Sequence, residues 1–178
     1  MANVKSSSRQ DSGIFECVTK SVEATEQLGE RLGQRLEAGD TVALIGELGS
    51  GKTTLIRGIA RGLGIDSEVV RSPTFLLMRE YPGRLPLIHV DAYRLESSSD
   101  VGCVDTAWLF SPNKVTVVEW AERLGAWLPD DYLEVRLAHH TTNQRAIRAI
   151  AHGPRSKRLL ESLQKESVVP PRSSAGHS

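Results

Sequence analysis

Nine consecutive residues, Gly46-Glu47-Leu48-Gly49-Ser50-Gly51-Lys52-Thr53-Thr54, carry the spacing G-x-x-x-x-G-K-[S/T] directly after the apolar run Val42-Ala43-Leu44-Ile45. That pattern builds a triphosphate cradle. Glycine is needed where the chain wraps so closely around phosphate oxygens that a Cβ would collide, and successive backbone N–H groups then point inward. Gly46, Gly49 and Gly51 supply those positions, with Glu47 and Ser50 completing the loop. Lys52 would reach the β- and γ-phosphates, and Thr53, beside Thr54, would hold Mg2+. Downstream, Leu55, Ile56, Ile59, Ala60 and Leu63 recur at helical spacing. The loop is therefore predicted to join a buried strand to a helix whose N-terminus favours anions.

A triphosphate site also needs an acidic group near its metal, and open α/β sheets bind their ligands at the C-terminal ends of strands. Glu119 ends the run Val115-Thr116-Val117-Val118. It would hold Mg2+ directly, hold it through water, or orient an attacking water. Asp91 ends Leu87-Ile88-His89-Val90 in the same way, as a second metal-side carboxylate, a water-positioning group, or a turn aspartate accepting backbone N–H bonds. Trp120 follows Glu119 and either fills the core or packs on the nucleotide side. In Arg71-Ser72-Pro73-Thr74 the hydroxyls of Ser72 and Thr74 flank a rigid proline, which suits a γ-phosphate-sensing loop or a plain connecting turn. His89 alternates with Ile88 and Val90 on a strand and reads as a structural histidine rather than a base.

The elements that must position these groups follow from the remaining pattern. Residues 14–19 read as a strand, and Ser21 as the N-cap of a helix carrying Val22, Leu28, Leu32 and Leu36 that stops near Gly39-Asp40. Gly62 and Gly64 provide stop signals after the second helix. Residues 74–81 lead through Pro82-Gly83-Arg84 into 87–91 as a hairpin. Two further strands are predicted over 115–118 and 132–137, a last one near 146–151, and a helix over 154–164. Alternating strands and helices with a phosphate loop after an early strand imply an α/β, three-layer P-loop NTPase-like fold around a mainly parallel sheet.

With 178 residues, 39% hydrophobic content and no internal repeat, the chain is expected to form one ATPase domain over residues 13–165. Disordered tails are expected over 1–12 and 166–178, which are polar or rich in turn formers. A formal net charge of zero gives no global drive toward nucleic acid or membrane. No apolar signal core precedes the domain, so a cytoplasmic setting is expected. Cys17 and Cys103 are too few for a disulfide framework and read as reduced packing thiols. The stretch 136–158 holds Arg136, Arg145, Arg148, Arg155, Lys157 and Arg158 without an acidic residue. It is either a solvated face balanced from elsewhere or a docking surface for RNA or an acidic partner.

Four segments together, G-E-L-G-S-G-K-T-T at 46–54, S-P-T-F at 72–75, H-V-D-A-Y-R at 89–94 and V-E-W at 118–120, resemble the TsaE (YjeE) family. Its members are small P-loop ATPases of bacterial tRNA threonylcarbamoyladenosine (t6A) synthesis. The resemblance covers residues 14–163. It implies Mg2+ ligands at Thr53 and Glu119, and functionally required residues at Thr54, Asp91 and Trp120. It also implies a switch-like segment carrying Ser72 and Thr74, and adenine contacts near Ser21-Val22 and at Arg145. The implied ligands are ATP and Mg2+. The implied partners are TsaB and TsaD, whose complex transfers the threonylcarbamoyl group to adenosine 37 of tRNA and would be reset by this ATPase between turnovers. Contact with tRNA is expected to be indirect, direct contact falling to the 136–158 stretch. No internal arginine finger is evident, so hydrolysis is expected to be slow in isolation. The chain departs from the family at residues 97–103, short and Ser-rich where relatives carry a Leu-Gly-rich acidic helix, and in the tail beyond Glu166. The competing readings are a small-molecule or nucleotide kinase and a non-hydrolysing ATP-gated adaptor.

Overall fold

The computed structural model describes residues 13–73, 77–95 and 105–166. Both tails, Thr74 and the Ser-rich segment with Cys103 lie outside the described residues. Seven strands form one sheet: β1 (Ile14–Thr19), β2 (Thr41–Ile45), β3 (Met78–Tyr81), β4 (Leu87–Asp91), β5 (Val115–Glu119), β6 (Leu133–His139) and β7 (Arg145–Ala151). The helices are α1 (Val22–Arg35), α2 (Lys52–Gly62), the single turn α3 (Thr106–Leu109) and α4 (Pro154–Glu166).

The strand order is β1-β7-β6-β2-β5-β4-β3. Pairings β6–β2, β2–β5 and β5–β4 are parallel, and antiparallel pairs close both edges. Strands β2, β4 and β5 are buried along nearly their whole length, as their continuous apolar runs require of a parallel sheet covered on both faces. The shared direction has a functional result. β2, β4 and β5 all empty at the same end, with Asp91 in register beside Glu119 and Glu119 beside Leu44.

Helices α1, α2 and α4 cover one face over the larger core, built from residues such as Leu32, Leu44, Ile56, Ile59, Leu133 and Leu160. Among the described residues the opposite layer is thin. There Leu109 of α3, Ala121 of the 3-10 turn Ala121–Arg123, and Leu124 pack with Ala43, Ile88, Val90 and Val118. On the same side, Arg136 and Arg148 reach solvent from β6 and β7.

Most element boundaries follow the sequence pattern, with three shifts. The first arm of the hairpin predicted over 74–81 is a strand only from Met78, because Leu77 holds φ 62° and leaves the extended conformation. The first helix ends at Arg35 instead of near Gly39, because Asp40 accepts the Glu37 N–H at 2.8 Å and folds residues 37–40 into a turn. Gly62 is the last residue of α2 rather than a stop, and Gly64, at φ 75°, takes the left-handed conformation that ends the helix. Acidic partners answer part of the charge bias of the 136–158 stretch. Arg136 pairs with Glu134, Arg148 with Glu16 and Arg155 with Asp40.

Candidate active site

The loop between β2 and α2 owes its shape to close approaches as well as to torsions. A Cβ on Gly46 would run into the Leu137 carbonyl oxygen and the Ser50 hydroxyl, and Gly51, the N-cap of α2, holds φ 103°. With no side chain capping α2, its first-turn N–H groups have no intrahelical partner and open toward the loop. Lys52 begins the helix and turns back over the loop, donating from Nζ to the Gly46 carbonyl at 2.6 Å and the Glu47 carbonyl at 2.9 Å. Its ammonium also lies 3.9 Å from the centroid of the Trp120 ring. Burial pushes the Lys52 ammonium below its ordinary pKa, while Glu119, Glu122 and Asp91 pull it back up.

The strand ends supply the acidic groups. Glu119 is 3% exposed, and the Thr53 hydroxyl lies 3.1 Å from each of its carboxylate oxygens. His89 Nε2 lies 2.8 Å from Glu119 Oε1. Asp91, 4% exposed, accepts from the Ser72 hydroxyl through one oxygen and from the Tyr93 N–H at 3.0 Å through the other. Trp120 adopts φ 58°, a left-handed conformation costing about 1 kcal/mol for a residue with a Cβ. Tyr93 supports its ring at a centroid distance of 5.0 Å.

These groups line a cavity of about 400 Å³ in which Lys52, Thr53, Ser72, Asp91, Glu119 and Trp120 meet. A second cavity of about 360 Å³ brings Val22 together with Arg145. Gly49, Gly51 and Thr54 belong to both, so the two form one groove crossing the loop. Arg145 reaches that loop through a 3.4 Å contact from its guanidinium to the Gly49 carbonyl. Of the candidate site residues named from the sequence, Thr74 alone lies outside the described ones. Ser50 is fully buried, its hydroxyl without a hydrogen-bond partner among the described residues, and Glu47 offers its carbonyl to Lys52.

The family described as "Threonylcarbamoyl adenosine biosynthesis protein TsaE" matches residues 19–147, a span that holds the loop, both carboxylates and Arg145. The chain belongs to the TsaE family. Among TsaE proteins, that of Bacillus subtilis is 36% identical over 152 residues, covering 85% of this chain and 94% of the relative. That of Treponema pallidum is 40% identical over 121 residues, covering 68% and 89%. Both are named tRNA threonylcarbamoyladenosine biosynthesis protein TsaE. The crystal structure of YdiB from Bacillus subtilis superposes with a TM-score of 0.76 at 30% identity, covering 94% of this chain and 99% of that one.

His89 is a buried structural histidine, as its place on the strand suggests, and its partner is the Glu119 carboxylate. His89 and Asp91 lie two apart on β4, hence on one face, and the register of β4 against β5 sets Glu119 on that same face. One aromatic residue of the cavity carries no assignment from the sequence. Tyr93 was part of the H-V-D-A-Y-R segment without an assigned role, and it both lines the cavity and braces Trp120.

Proposed function

We propose that this chain is a Mg2+-dependent ATPase of tRNA t6A biosynthesis. It binds the TsaB–TsaD complex and uses ATP binding and hydrolysis to reset that complex between rounds of threonylcarbamoylation of adenosine 37, in tRNAs reading codons that begin with A. The observation that carries this reading is the junction of Thr53 with Glu119. It sets the hydroxyl that follows the phosphate-loop lysine against a carboxylate at the end of the neighbouring strand.

The donor set suits the ligands. Gly46 and Gly51 leave open a cradle that side chains would fill, and the α2 N-terminus attracts the phosphates. Lys52 exchanges its two carbonyl partners for phosphate oxygens, a stronger, charge-assisted bond. Thr53 and Glu119 offer hard oxygen donors that would hold Mg2+, which would supply positive charge to offset that of the phosphates. Asp91, fixed by Ser72 and the Tyr93 N–H, orients the attacking water and accepts its proton. Trp120 covers Lys52 on the solvent side. The adenine lies in the adjoining cavity between Val22 and Arg145.

Among the described residues lining the phosphate-side cavity, Lys52 is the sole cation. Hydrolysis by the isolated chain is therefore slow, and TsaB–TsaD accelerates it by ordering the site. Phosphate release is the test, measured with and without TsaB–TsaD for wild type and Asp91→Ala. We expect stimulation of the wild type, a loss of about 100-fold in the variant, and ADP affinity retained within about threefold. Transfer of phosphate to an added small-molecule acceptor in preference to water would establish the kinase reading instead.

A further inference from the structure

His89 is 0% exposed, and its Nε2 lies 2.8 Å from Glu119 Oε1. Its Nδ1 is also buried and has no hydrogen-bond partner among the described residues. A neutral imidazole carries one N–H. With that proton on Nδ1, a buried donor would go unpaired and the Nε2 lone pair would face a carboxylate oxygen. With the proton on Nε2, only a bare ring nitrogen is left unpaired, so the geometry selects Nε2–H donating to Glu119. Thr53 gives the same carboxylate its hydroxyl contact at 3.1 Å. A hydroxyl has lone pairs to offer a cation, whereas the Nε2–H group is a donor only. His89 is thus the contact committed to the carboxylate in either state.

We propose that His89 is a positioning residue that fixes the Glu119 carboxylate against Thr53 for the divalent cation accompanying the nucleotide. The proposal rests on the assignment of Thr53 and Glu119 to that cation. His89 is absent from the residues lining the cavity and acts only through Glu119. Groups that hold metal ligands in this way typically change metal affinity by about 10-fold or more when lost.

The test uses Mn2+ as the probe, with its binding to the full chain plus ADP read by electron paramagnetic resonance, and ADP affinity measured separately in EDTA. His89→Gln keeps a donor near the Nε2 position, and His89→Asn places its amide near Nδ1, too short to reach Glu119. Mn2+ affinity is expected to fall about 10-fold in the Asn variant and to stay within about threefold of wild type in the Gln variant, with ADP affinity in EDTA unchanged in both. Wild-type Mn2+ affinity in His89→Asn, or no recovery in His89→Gln, would overturn the proposal while leaving the metal assignment standing. Failure of the wild type itself to bind Mn2+ with ADP would remove both. Imidazole 15N shifts of the wild-type chain give a check that needs no variant: the Nε2-protonated tautomer is expected, and the Nδ1-protonated one would contradict the proposal.

Discussion

Two of the three N–H donors of Lys52 end on carbonyls of its own loop, and its ammonium sits on the Trp120 face, with the residue 4% exposed. Burial lowers its pKa from 10.5, so between the lowered value and 10.5 the unfolded chain binds the extra proton. Stability therefore rises with pH across that window, and the cost of the buried charge is present in full below it. Lys52→Met keeps the apolar stem and removes the charge. At pH 7 this variant is expected to melt no lower than wild type, with the difference between them closing as the pH approaches 10.5. Nucleotide affinity should meanwhile fall by about 100-fold, since two charge-assisted phosphate contacts are worth about 3 kcal/mol. Thermal melts across pH and ADP titration check both halves. The loop over 46–54 was legible at this scale as the connection from β2 to α2, because its pattern is written in consecutive residues. The partner of His89 was not, because Glu119 is distant in sequence and only the register of β4 against β5 brings them together.

At the scale of elements, the contact between α1 and α2 fixes where the loop opens. It is made through glycine on both sides: a Cβ on Gly29 would strike the Leu55 carbonyl oxygen, one on Gly33 that of Ile59, and one on Gly58 that of Glu26. Gly58→Ala must push the helices apart and is expected to cost about 3 kcal/mol in urea unfolding. The G-x-x-x-G spacings at 29–33 and 58–62 stand in the sequence, but apolar periodicity does not show that they face each other. The start of α4 depends on a distant cap. Asp131 accepts the N–H groups of Arg155 at 2.7 Å and Ser156 at 3.0 Å. Burial opposes the Asp131 charge, yet these N–H donors and Arg155 hold its pKa below the ordinary 3.8. That contribution is present in full above 3.8 and is lost as the pH falls through the lowered value. Asp131→Ala should therefore cost about 1 kcal/mol at pH 7 and progressively less under acid conditions, as read from urea midpoints.

For the molecule as a whole, the sequence carried the α/β layering because buried parallel strands appear as continuous apolar runs between helices. It did not carry the short elements described in the second layer, since one-turn helices such as Thr106–Leu109 have too few residues to show a period. Nor did it show that three arginines of the basic stretch are matched by Glu134, Glu16 and Asp40, two of these far away in the chain. What the fold achieves at this scale is convergence: β2, β4 and β5 bring the 46–54 loop, Asp91 and Glu119 to one end of the sheet. On the function proposed, this convergence drives repeated turnover by the TsaB–TsaD complex. The most direct test of that function is multiple-turnover formation of t6A on tRNA by TsaB and TsaD, supplied with threonylcarbamoyl-adenylate and Mg-ATP, with wild-type chain or Asp91→Ala. Wild type should sustain product formation well beyond one equivalent of TsaD, and Asp91→Ala should stall near one. Equal product with and without the wild-type chain, or full turnover with a non-hydrolysable ATP analogue, would contradict the account.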